Sequence, residues 1–465
     1  MTRYAATGRV GPQTDAKLRA SPPDRGLARS REVVASVFGR DKERSFDTRY
    51  WDGTVERAGT ADPAFTLVVN RRGALRRMLL PPTEISLVEA YISGDVDIEG
   101  DLETAISLGD TVRERLQRSG SFGALLPRLL RLPRDDDAPD VSATQFARAK
   151  RLLERARHSD APAIRYHYDV GNDFYAMWLD EHMLYTCAYY RTGTEDLATA
   201  QTHKLEHICR KLRLKPGDRL LDIGCGWGGL VRYAAERFGV NAHGITLSAA
   251  QAEWAQERII EHGLAGRCRV EVRDYRDLDD GVQYDKIVSV GVTEHVAKDE
   301  QPAYFRAAYR RLAPRGLFLN HCEVSNESSR PRSLMQRLGD RLWRRREFIE
   351  RYVFPDGALV PAAHVLASAE SAGFEVRDVE SLREHYTRTL RHWVSRLEAK
   401  KHEAIAALDD RTYRVWRLYM AGAADAFRNG QLGLIQTLLS KPAHDGESGL
   451  PWSRHDIYAT PNSDR

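Results

Sequence analysis

Cysteine is scarce in this chain and never occurs in a short paired motif. The 465 residues include five cysteines, an odd number that contains no C-x-x-C pair. They are scattered at Cys187, Cys209, Cys225, Cys268 and Cys322. Neither a disulfide framework nor a zinc site is therefore indicated, and we predict no metal site.

Long apolar runs are also absent. None reaches the roughly 18 residues of a membrane-spanning helix, and the polar start MTRYAATGRVGPQTDAK lacks the apolar core of a signal peptide. Apolar residues at 42% and charged residues at 29% are typical of a soluble globular protein, so we expect a cytoplasmic chain. A net charge of only +4 without a recognition motif argues against nucleic acid as a partner.

The length and the changes in composition predict two domains between two tails. The first 30 residues are rich in Arg, Pro, Ser and Gly without periodicity, which is typical of disorder. The strand-like runs FTLVV and SGDVDIEG then mix with the helical pattern TEISLVEAYI. We therefore expect a disordered tail (1–30), a small α+β domain associated with lipid or membrane (31–135), a larger catalytic domain (141–442) and a loose C-terminal tail (443–465).

The stretch RLLDIGCGWGG (219–229) is the main motif of the larger domain. Its apolar run predicts a buried parallel strand, its glycines a tight turn, and the following GLVRYAAERFG a helix that ends at Gly239. Strand, turn and helix form the first unit of a doubly wound α/β sheet, in which ligands bind at the carboxyl ends of the strands.

The spacing of the glycines argues against a dinucleotide. A dinucleotide site has the spacing G-x-G-x-x-G and an acid about 20 residues later, whereas this chain reads D-x-G-x-G-x-G and its next strand, VNAHGITLS, carries no acid. The compact form resembles the S-adenosylmethionine (SAM) turn of class I methyltransferases. We thus predict a Rossmann-like class I methyltransferase sheet with helical additions, preceded by the small α+β domain.

Several further motifs occur in a fixed order. They are YHYDVGNDFY (166–175), LYTCAYY (184–190), GITLS (244–248), EHV (294–296), FIERYVFPDG (348–357) and HYTRTLRHW (385–393). Together with the glycine turn, this series resembles the cyclopropane-fatty-acyl-phospholipid synthase family, which includes the mycolic acid cyclopropane synthases. The resemblance covers most of residues 163–440, and residues 65–110 resemble the extra N-terminal domain of the phospholipid-acting members.

The strand ends supply candidate ligands for SAM. The second strand and turn carry polar groups at Thr246, Ser248 and Gln251, and the third strand is followed by Asp274 and Tyr275 where such folds meet adenine. The resemblance adds the residues around these positions. The full predicted set is Tyr185, Thr186, Asp222, Gly224, Gly226, Gly228, Thr246, Leu247, Ser248, Gln251, Asp274 and Tyr275.

The chemistry that the resemblance implies needs aromatic faces and a base. An alkene attacks the SAM methyl and leaves a carbocation, which must be shielded from water and lose a proton. An aromatic cluster precedes the sheet, and we expect two or three of its members to line the site. Its members are Tyr166, Tyr168, Phe174, Tyr175, Trp178, Tyr185 and Tyr189.

The resemblance also implies a bicarbonate ion as proton acceptor, held by Cys187, Glu294, His321 and Tyr386. We expect Cys322 near the same crevice. This chain departs from the family pattern at Glu323, which occupies a position whose backbone helps to hold the ion. If the Glu323 side chain turns inward, it repels bicarbonate and is itself a candidate base. If it turns outward, bicarbonate remains the proton acceptor. The sequence leaves both alternatives open.

Two basic amphipathic segments suggest a membrane surface. Residues 111–134 carry six arginines, and residues 325–352 carry eight arginines against four acids with leucines at helical spacing. Each segment fits either anionic phospholipid or a helix docked on its own domain with a solvated arginine face. We expect a peripheral protein at the inner face of the membrane, and a homodimer as its candidate assembly.

The predicted activity is SAM-dependent formation of a cyclopropane on an unsaturated phospholipid acyl chain. One alternative with the same chemistry is a methyl- or methylene-branched chain. A different class is a lipid-binding protein without turnover, against which the intact set Cys187, Glu294, His321 and Tyr386 argues. A small-molecule methyltransferase would leave the two basic segments unexplained.

Overall fold

The computed structural model describes residues 24–60, 62–117, 121–135, 171–326, 347–353 and 359–458. Within those residues, the helices are all too short or too polar to cross a membrane. Several sequence predictions fall outside the described residues. They are the tail up to residue 23, Tyr166, Tyr168, and most of the basic segment 325–352.

The N-terminal part is a four-stranded sheet with helices against it. The sheet has the order β2-β1-β3-β4, and its long strand β3 has buried residues at four of five positions because it runs through the centre of the domain. The strands are β1 (Asp47–Arg49), β2 (Val55–Glu56), β3 (Phe65–Val69) and β4 (Val96–Gly100). The helices are α1 (Arg25–Phe38), α2 (Ala74–Leu79), α3 (Glu84–Ile92), α4 (Leu102–Gln117) and α5 (Ser121–Leu130).

Two features of this part differ from the sequence prediction. Helix α1 begins at Arg25, capped by the Asp24 side chain, so ordered structure starts inside the segment assigned to the tail. Helix α5, from the basic segment 111–134, buries Leu125 and Leu129 and forms an ion pair from Arg128 to Glu32 of α1. That helix is therefore docked on its own domain, which was the alternative to a helix that binds anionic phospholipid.

The larger domain is built on a seven-stranded sheet of order β10-β11-β9-β8-β5-β6-β7. Strand β11 runs antiparallel to both neighbours and the other pairs are parallel. The doubly wound sheet predicted from the glycine stretch is therefore observed. Its strands are β5 (Arg219–Ile223), β6 (Asn241–Thr246), β7 (Cys268–Val272), β8 (Tyr284–Val290), β9 (Leu312–Ser325), β10 (Glu375–Ser381) and β11 (Leu432–Ser440).

Helices cover both faces of this sheet and bury a separate apolar cluster on each. Leu220, Val231 and Val288 belong to one cluster, and Leu221, Ile287 and Phe318 belong to the other. The helices are α6 (Asn172–Ala176), α7 (Leu197–Lys211), α8 (Gly229–Phe238), α9 (Ala249–Glu261), α10 (Gln301–Arg311), α11 (Glu347–Tyr352), α12 (Ala362–Ser371), α13 (Arg383–Ala399), α14 (Lys401–Ala407), α15 (Asp410–Arg428) and α16 (His455–Tyr458).

The end of the chain contains structure that the sequence analysis missed. Strand β11 inserts between β9 and β10, which the sequence analysis did not predict. Helix α16 lies in the segment assigned to a loose tail, yet Ile457 is buried and Asp456 pairs with Arg213. The described part of that tail is therefore packed on the domain.

Arginines of α15 hold the two domains together. Arg417 donates hydrogen bonds to the Tyr91 hydroxyl at 3.0 Å and to the carbonyls of Ile98 and Gly100 at 3.1 Å each. Arg414 pairs with Asp97 of β4 at 2.9 Å. Both arginines are buried, and a single apolar cluster extends across the two domains.

Candidate active site

The turn after β5 has the shape of a ligand cradle. Gly224 and Gly226 have φ angles of 76° and 54°, a region that favours glycine. A Cβ at Gly224 would lie 2.3 Å from a methyl of Val292, so packing requires glycine there. A Cβ at Gly226 would meet nothing within 4 Å. The turn therefore leaves open space beside a backbone that a ligand can approach, and these residues fit SAM.

The polar groups at the next two strand ends are already engaged with one another. Thr246 donates to the Gln251 side chain at 2.7 Å, and Ser248 caps α9 by accepting from the Gln251 backbone. Asp274 pairs with Arg276 at 2.7 Å, and Arg276 lies over the Tyr275 ring. Leu247 and Gly228 lie in the turns between these groups. Apart from Tyr185 and Thr186, the predicted SAM residues thus lie at the carboxyl ends of β5, β6 and β7.

Lys204 of α7 is a buried cation that the sequence analysis missed. Its ammonium donates to the Thr186 hydroxyl at 2.6 Å. Burial lowers the pKa of Lys204 to about 8, and burial raises the pKa of Asp222 to about 7 while the charge of Lys204 opposes that rise. Lys204 therefore binds Thr186, which was predicted to contact SAM, and its charge acts on the acid of β5. A single lysine within a helix gave no sequence signal.

The predicted catalytic residues meet in one cavity of about 470 Å³. They come from distant parts of the chain, and the cavity is otherwise largely apolar. The predicted site residues on its wall are Tyr185, Thr186, Cys187, Glu294, His321, Glu323 and Tyr386. The structure thus brings together all five residues of the proposed catalytic set.

The pleat of β9 determines where Glu323 points. Successive side chains of a strand face opposite sides, so His321 and Glu323 share one face and Cys322 has the other. The first two line the cavity, whereas Cys322 packs in the apolar cluster beneath the sheet. Glu323 therefore turns inward. The expectation that Cys322 lies at the crevice is wrong, because β9 continues to Ser325 and its pleat turns Cys322 to the opposite face of the sheet.

Two carboxylates face the cavity together. Desolvation raises the pKa of Glu294, and the charge of Glu323 raises it further. Desolvation also raises the pKa of Glu323, while a hydrogen bond from Tyr386 opposes that rise. Among the described residues, Glu294 Oε2 has no hydrogen-bond partner. Such a pair holds a proton near neutral pH and presents an acceptor to the cavity.

The other polar groups of the site are neutral. Burial lowers the pKa of His321 to about 3 and raises the pKa of Cys187 far above its usual range. The Cys187 thiol lies 3.2 Å from the Ala188 carbonyl oxygen. His321 Nδ1 lies 3.3 Å from Gln436 Nε2, while its Nε2 is buried without a partner among the described residues. These groups contribute no charge of their own to the cavity.

An aromatic cluster adjoins Tyr185 at the cavity wall. The Tyr185 ring lies 5.2 Å from Trp393 and 5.3 Å from Trp178, and Tyr175 lies 4.9 Å from Trp227 of the glycine turn. Phe174, Tyr175 and Trp178 are fully buried core residues. Of the cluster members that the structure describes, only Tyr185 lines the cavity, and Tyr189 stacks on His207 elsewhere. Trp416, which also packs here, was not predicted because it lies in a distant helix.

Comparison with known proteins gives consistent matches. Residues 155–437 match the family described as mycolic acid cyclopropane synthetase, and residues 33–116 match a domain family of unknown function. A probable fatty acid methyltransferase of Pseudomonas putida is 39% identical over 88% of this chain and 95% of its own. The cyclopropane-fatty-acyl-phospholipid synthase of Escherichia coli is 38% identical over 60% of this chain and 68% of its own.

The solved structures agree with this result. Mycolic acid cyclopropane synthase CmaA1, complexed with SAH and CTAB, aligns with a TM-score of 0.56 at 32% identity, over 60% of this chain and 97% of that one. The predicted class I methyltransferase fold is confirmed.

Proposed function

Because this chain belongs to the mycolic acid cyclopropane synthetase family and is a SAM-dependent methyltransferase, we propose that it acts on the cis double bond of an unsaturated phospholipid acyl chain and forms a cyclopropane. The observation that carries the proposal is the cavity of about 470 Å³. Its apolar walls suit a hydrocarbon chain, and its few polar groups converge where a proton must be removed. The name of the E. coli relative supports the phospholipid as substrate.

SAM, bound at the glycine turn, supplies an electrophilic methyl group, and its transfer to an alkene carbon leaves a carbocation on the neighbouring carbon of the acyl chain. Tyr185 and the rings packed behind it exclude water that would capture this cation. Tyr185 also presents an aromatic wall to the positive charge. A carboxylate of the cavity then accepts a proton from the added methyl, and the electron pair of that C–H bond closes the ring.

In this proposal the base is the Glu294–Glu323 pair, and bicarbonate is not used. The inward carboxylate of Glu323 is a second acid beside Glu294, so an added anion would meet like charge. The Tyr386 hydroxyl, one of the groups expected to hold bicarbonate, is engaged with Glu323. Glu323 is thus favoured over the ion as the proton acceptor.

A methylene-branched chain is the second candidate product. It forms if a hydride shifts to the first carbocation before a methyl proton is lost, so that a double bond to the added carbon replaces the ring. The inward carboxylate of Glu323 favours it, because a base that departs from the family pattern can remove the methyl proton after the hydride has shifted rather than before. The name of the P. putida relative, a probable fatty acid methyltransferase, is compatible with either product.

Mass spectrometry of lipids from cells that express the protein tests the proposal. We expect phospholipid acyl chains that are heavier by one CH₂ group, compared with cells that carry an empty vector. Ozone cleaves a methylene branch and leaves a cyclopropane intact, so ozonolysis separates the two products. Acyl chains of unchanged mass in cells that contain folded protein would refute both.

A further inference from the structure

We infer that the N-terminal domain is part of the substrate site and binds the methyl end of the acyl chain. The domain matches a family of unknown function over residues 33–116, so this assigns it a ligand. The inference depends on the proposed function only in taking an acyl chain as substrate. It adds where that chain lies and which residues limit its length.

The cavity that contains the catalytic carboxylates continues into the N-terminal domain. Glu294, Glu323 and Tyr386 line it on one side, while Phe65 and Leu67 of β3 and Met78 of α2 line the same cavity on the other. The two groups border one continuous space. A molecule that reacts at Glu323 can therefore extend between the sheets of both domains.

The N-terminal part of the cavity is lined by aromatic and aliphatic side chains, with Glu84 as its one charged group among the described residues. Phe46 stacks on Phe65 with ring centroids 4.7 Å apart, and Phe38 packs against Phe46 edge-on at 5.5 Å. Phe46, Phe65 and Met78 are all buried. An ester or a head group placed there would lose its hydrogen bonds to water without replacement. The occupant of this end is therefore hydrocarbon, which means the terminal methyl segment of the chain.

Helices from both domains form the middle of the wall. Ala105 and Ile106 of α4 face the cavity together with Leu418 and Gly422 of α15. Outside this apolar contact the same two helices are linked by an ion pair, since Glu103 lies 3.0 Å from Arg428. This part of the wall is thus a fixed interface between the domains. The small side chain of Ala105 sets the width of the cavity there.

Because this part of the cavity is apolar and limited in volume, the enzyme should be sensitive to the number of carbons between the double bond and the methyl terminus. The carboxyl side of the chain extends away from this part of the cavity, so its length does not affect the fit there. Each methylene that finds apolar burial contributes about a fourfold factor in affinity. Ala105→Trp should fill the middle of the wall and shift the preference to shorter methyl-side segments, with a loss on the order of tenfold for the longest chains.

The experiment uses the full-length protein and vesicles of phosphatidylcholine with monounsaturated chains. One series keeps the double bond nine carbons from the carboxyl group and varies the methyl side; the other varies the carboxyl side. Leu67→Ala, which enlarges the cavity, should shift the optimum to longer methyl sides. Leu75→Ala is the matched control, because Leu75 is buried in the same domain but does not line the cavity. It should lower the melting temperature and leave the length profile unchanged.

A shift of the methyl-side profile in opposite directions for Ala105→Trp and Leu67→Ala supports the inference. Equal losses at every length, or a shift confined to the carboxyl-side series, would overturn it. Calorimetric binding of free monounsaturated fatty acids of the same lengths gives a second readout without turnover. If the wild type methylates none of the chains, the proposed function has failed; if it methylates them with variant profiles identical to its own, only this inference has failed.

Discussion

The carboxylates of Glu294 and Glu323 face one cavity from different strand ends, and the charge of Glu323 raises the pKa of Glu294. Glu294 lies in a 3-10 turn (Thr293–His295) after β8, whereas Glu323 lies within β9. The sheet therefore fixes Glu323, whereas Glu294 is held by the turn that directly follows β8, the strand paired with β9. The pair is therefore a preformed acid–base site.

The first prediction concerns the proton acceptor. Turnover in carbonate-depleted buffer should be nearly normal, and Glu323→Gln should lose on the order of a hundredfold or more, because removal of a general base costs about 10²–10⁴ in rate. Methyl transfer from labelled SAM to vesicles of monounsaturated phospholipid measures both. Glu253→Gln, on the exposed side of α9, is the control and should behave like the wild type.

A further variant distinguishes the two mechanisms. Glu323→Ala removes the second carboxylate and vacates its space, so added bicarbonate or formate should restore part of the activity to this variant alone. A strong bicarbonate requirement in the wild type, together with a nearly silent Glu323→Gln, would show that the ion is the base and that Glu323 is a bystander.

The second prediction concerns SAM. Gly226→Val should abolish SAM binding in a calorimetric titration, because a branched side chain would fill the open space beside the turn and is strained at a φ of 54°. Gly263→Val is the matched control, since Gly263 has a φ of 69° and equally open surroundings at the end of α9. It carries the same backbone strain far from the turn. Equal SAM affinity in the two variants would disprove the placement.

The sequence predicted those parts of the site that depend on local pattern. The strand, turn and helix around Gly226 follow from adjacent residues, and Cys187, Glu294, His321 and Tyr386 followed from motifs of the family. The orientation of Glu323 depends on the length of β9, which the sequence pattern did not define. Once the strand is known to reach Ser325, the alternation of side chains along it predicts that Glu323 shares a face with His321.

Long-range packing explains what was missed. Strand β11 lies between β9 and β10 although it comes last in the chain, and a short apolar run gives no indication of its partners. Lys204 and Trp416 reach the site from helices whose own patterns are ordinary. The extension of the cavity into the N-terminal domain depends on how two domains dock, and the buried arginines of α15 that fix this docking resemble surface arginines in the sequence.

The third prediction concerns binding to a membrane surface, which we expect from the sequence alone. Sedimentation with anionic vesicles should be strong at low salt and weaken as salt rises, because charge attraction is screened over about 10 Å at 0.1 M. Joint replacement of Arg344, Arg345 and Arg346 by Gln should weaken binding by about 1 kcal/mol for each arginine. Arg128→Gln is the control, since Arg128 is paired with Glu32. Equal binding to neutral vesicles would contradict the electrostatic part.

The fourth prediction concerns the docking of the domains. Arg417→Met should lower the free energy of unfolding by about 3 kcal/mol, because each buried group left without its hydrogen bond costs about 1–3 kcal/mol. The groups affected are the Tyr91 hydroxyl, the carbonyls of Ile98 and Gly100, and the Glu398 carboxylate, which lies 2.6 Å from Arg417. Urea denaturation measures the change. Arg377→Met, which removes only a surface pair with Glu375, should stay within about 0.5 kcal/mol of the wild type. A loss no larger than that would mean that Arg417 does not hold the interface.

The last prediction links the acid pair to stability. Desolvation raises the pKa of Glu323 in the folded protein, whereas the unfolded chain has the ordinary value of about 4.3. Between these two values the folded state binds more protons than the unfolded state, so the free energy of unfolding falls as pH rises through this window. At pH values below this window Glu323 is protonated in both the folded and the unfolded state, and the destabilisation caused by its ionisation vanishes.

Glu323→Gln removes the titration and should therefore stabilise the protein at pH 8 by about 1.4 kcal/mol for each unit of the upward shift, and leave it unchanged near pH 4. Urea midpoints measured across this range test the prediction, with Glu236→Gln on the exposed face of α8 as a control whose difference from the wild type should stay flat. The variant would then be more stable and less active than the wild type. A variant that is destabilised at pH 8 would show that the carboxylate contributes to the fold, and that its charge is not held in the cavity for proton transfer.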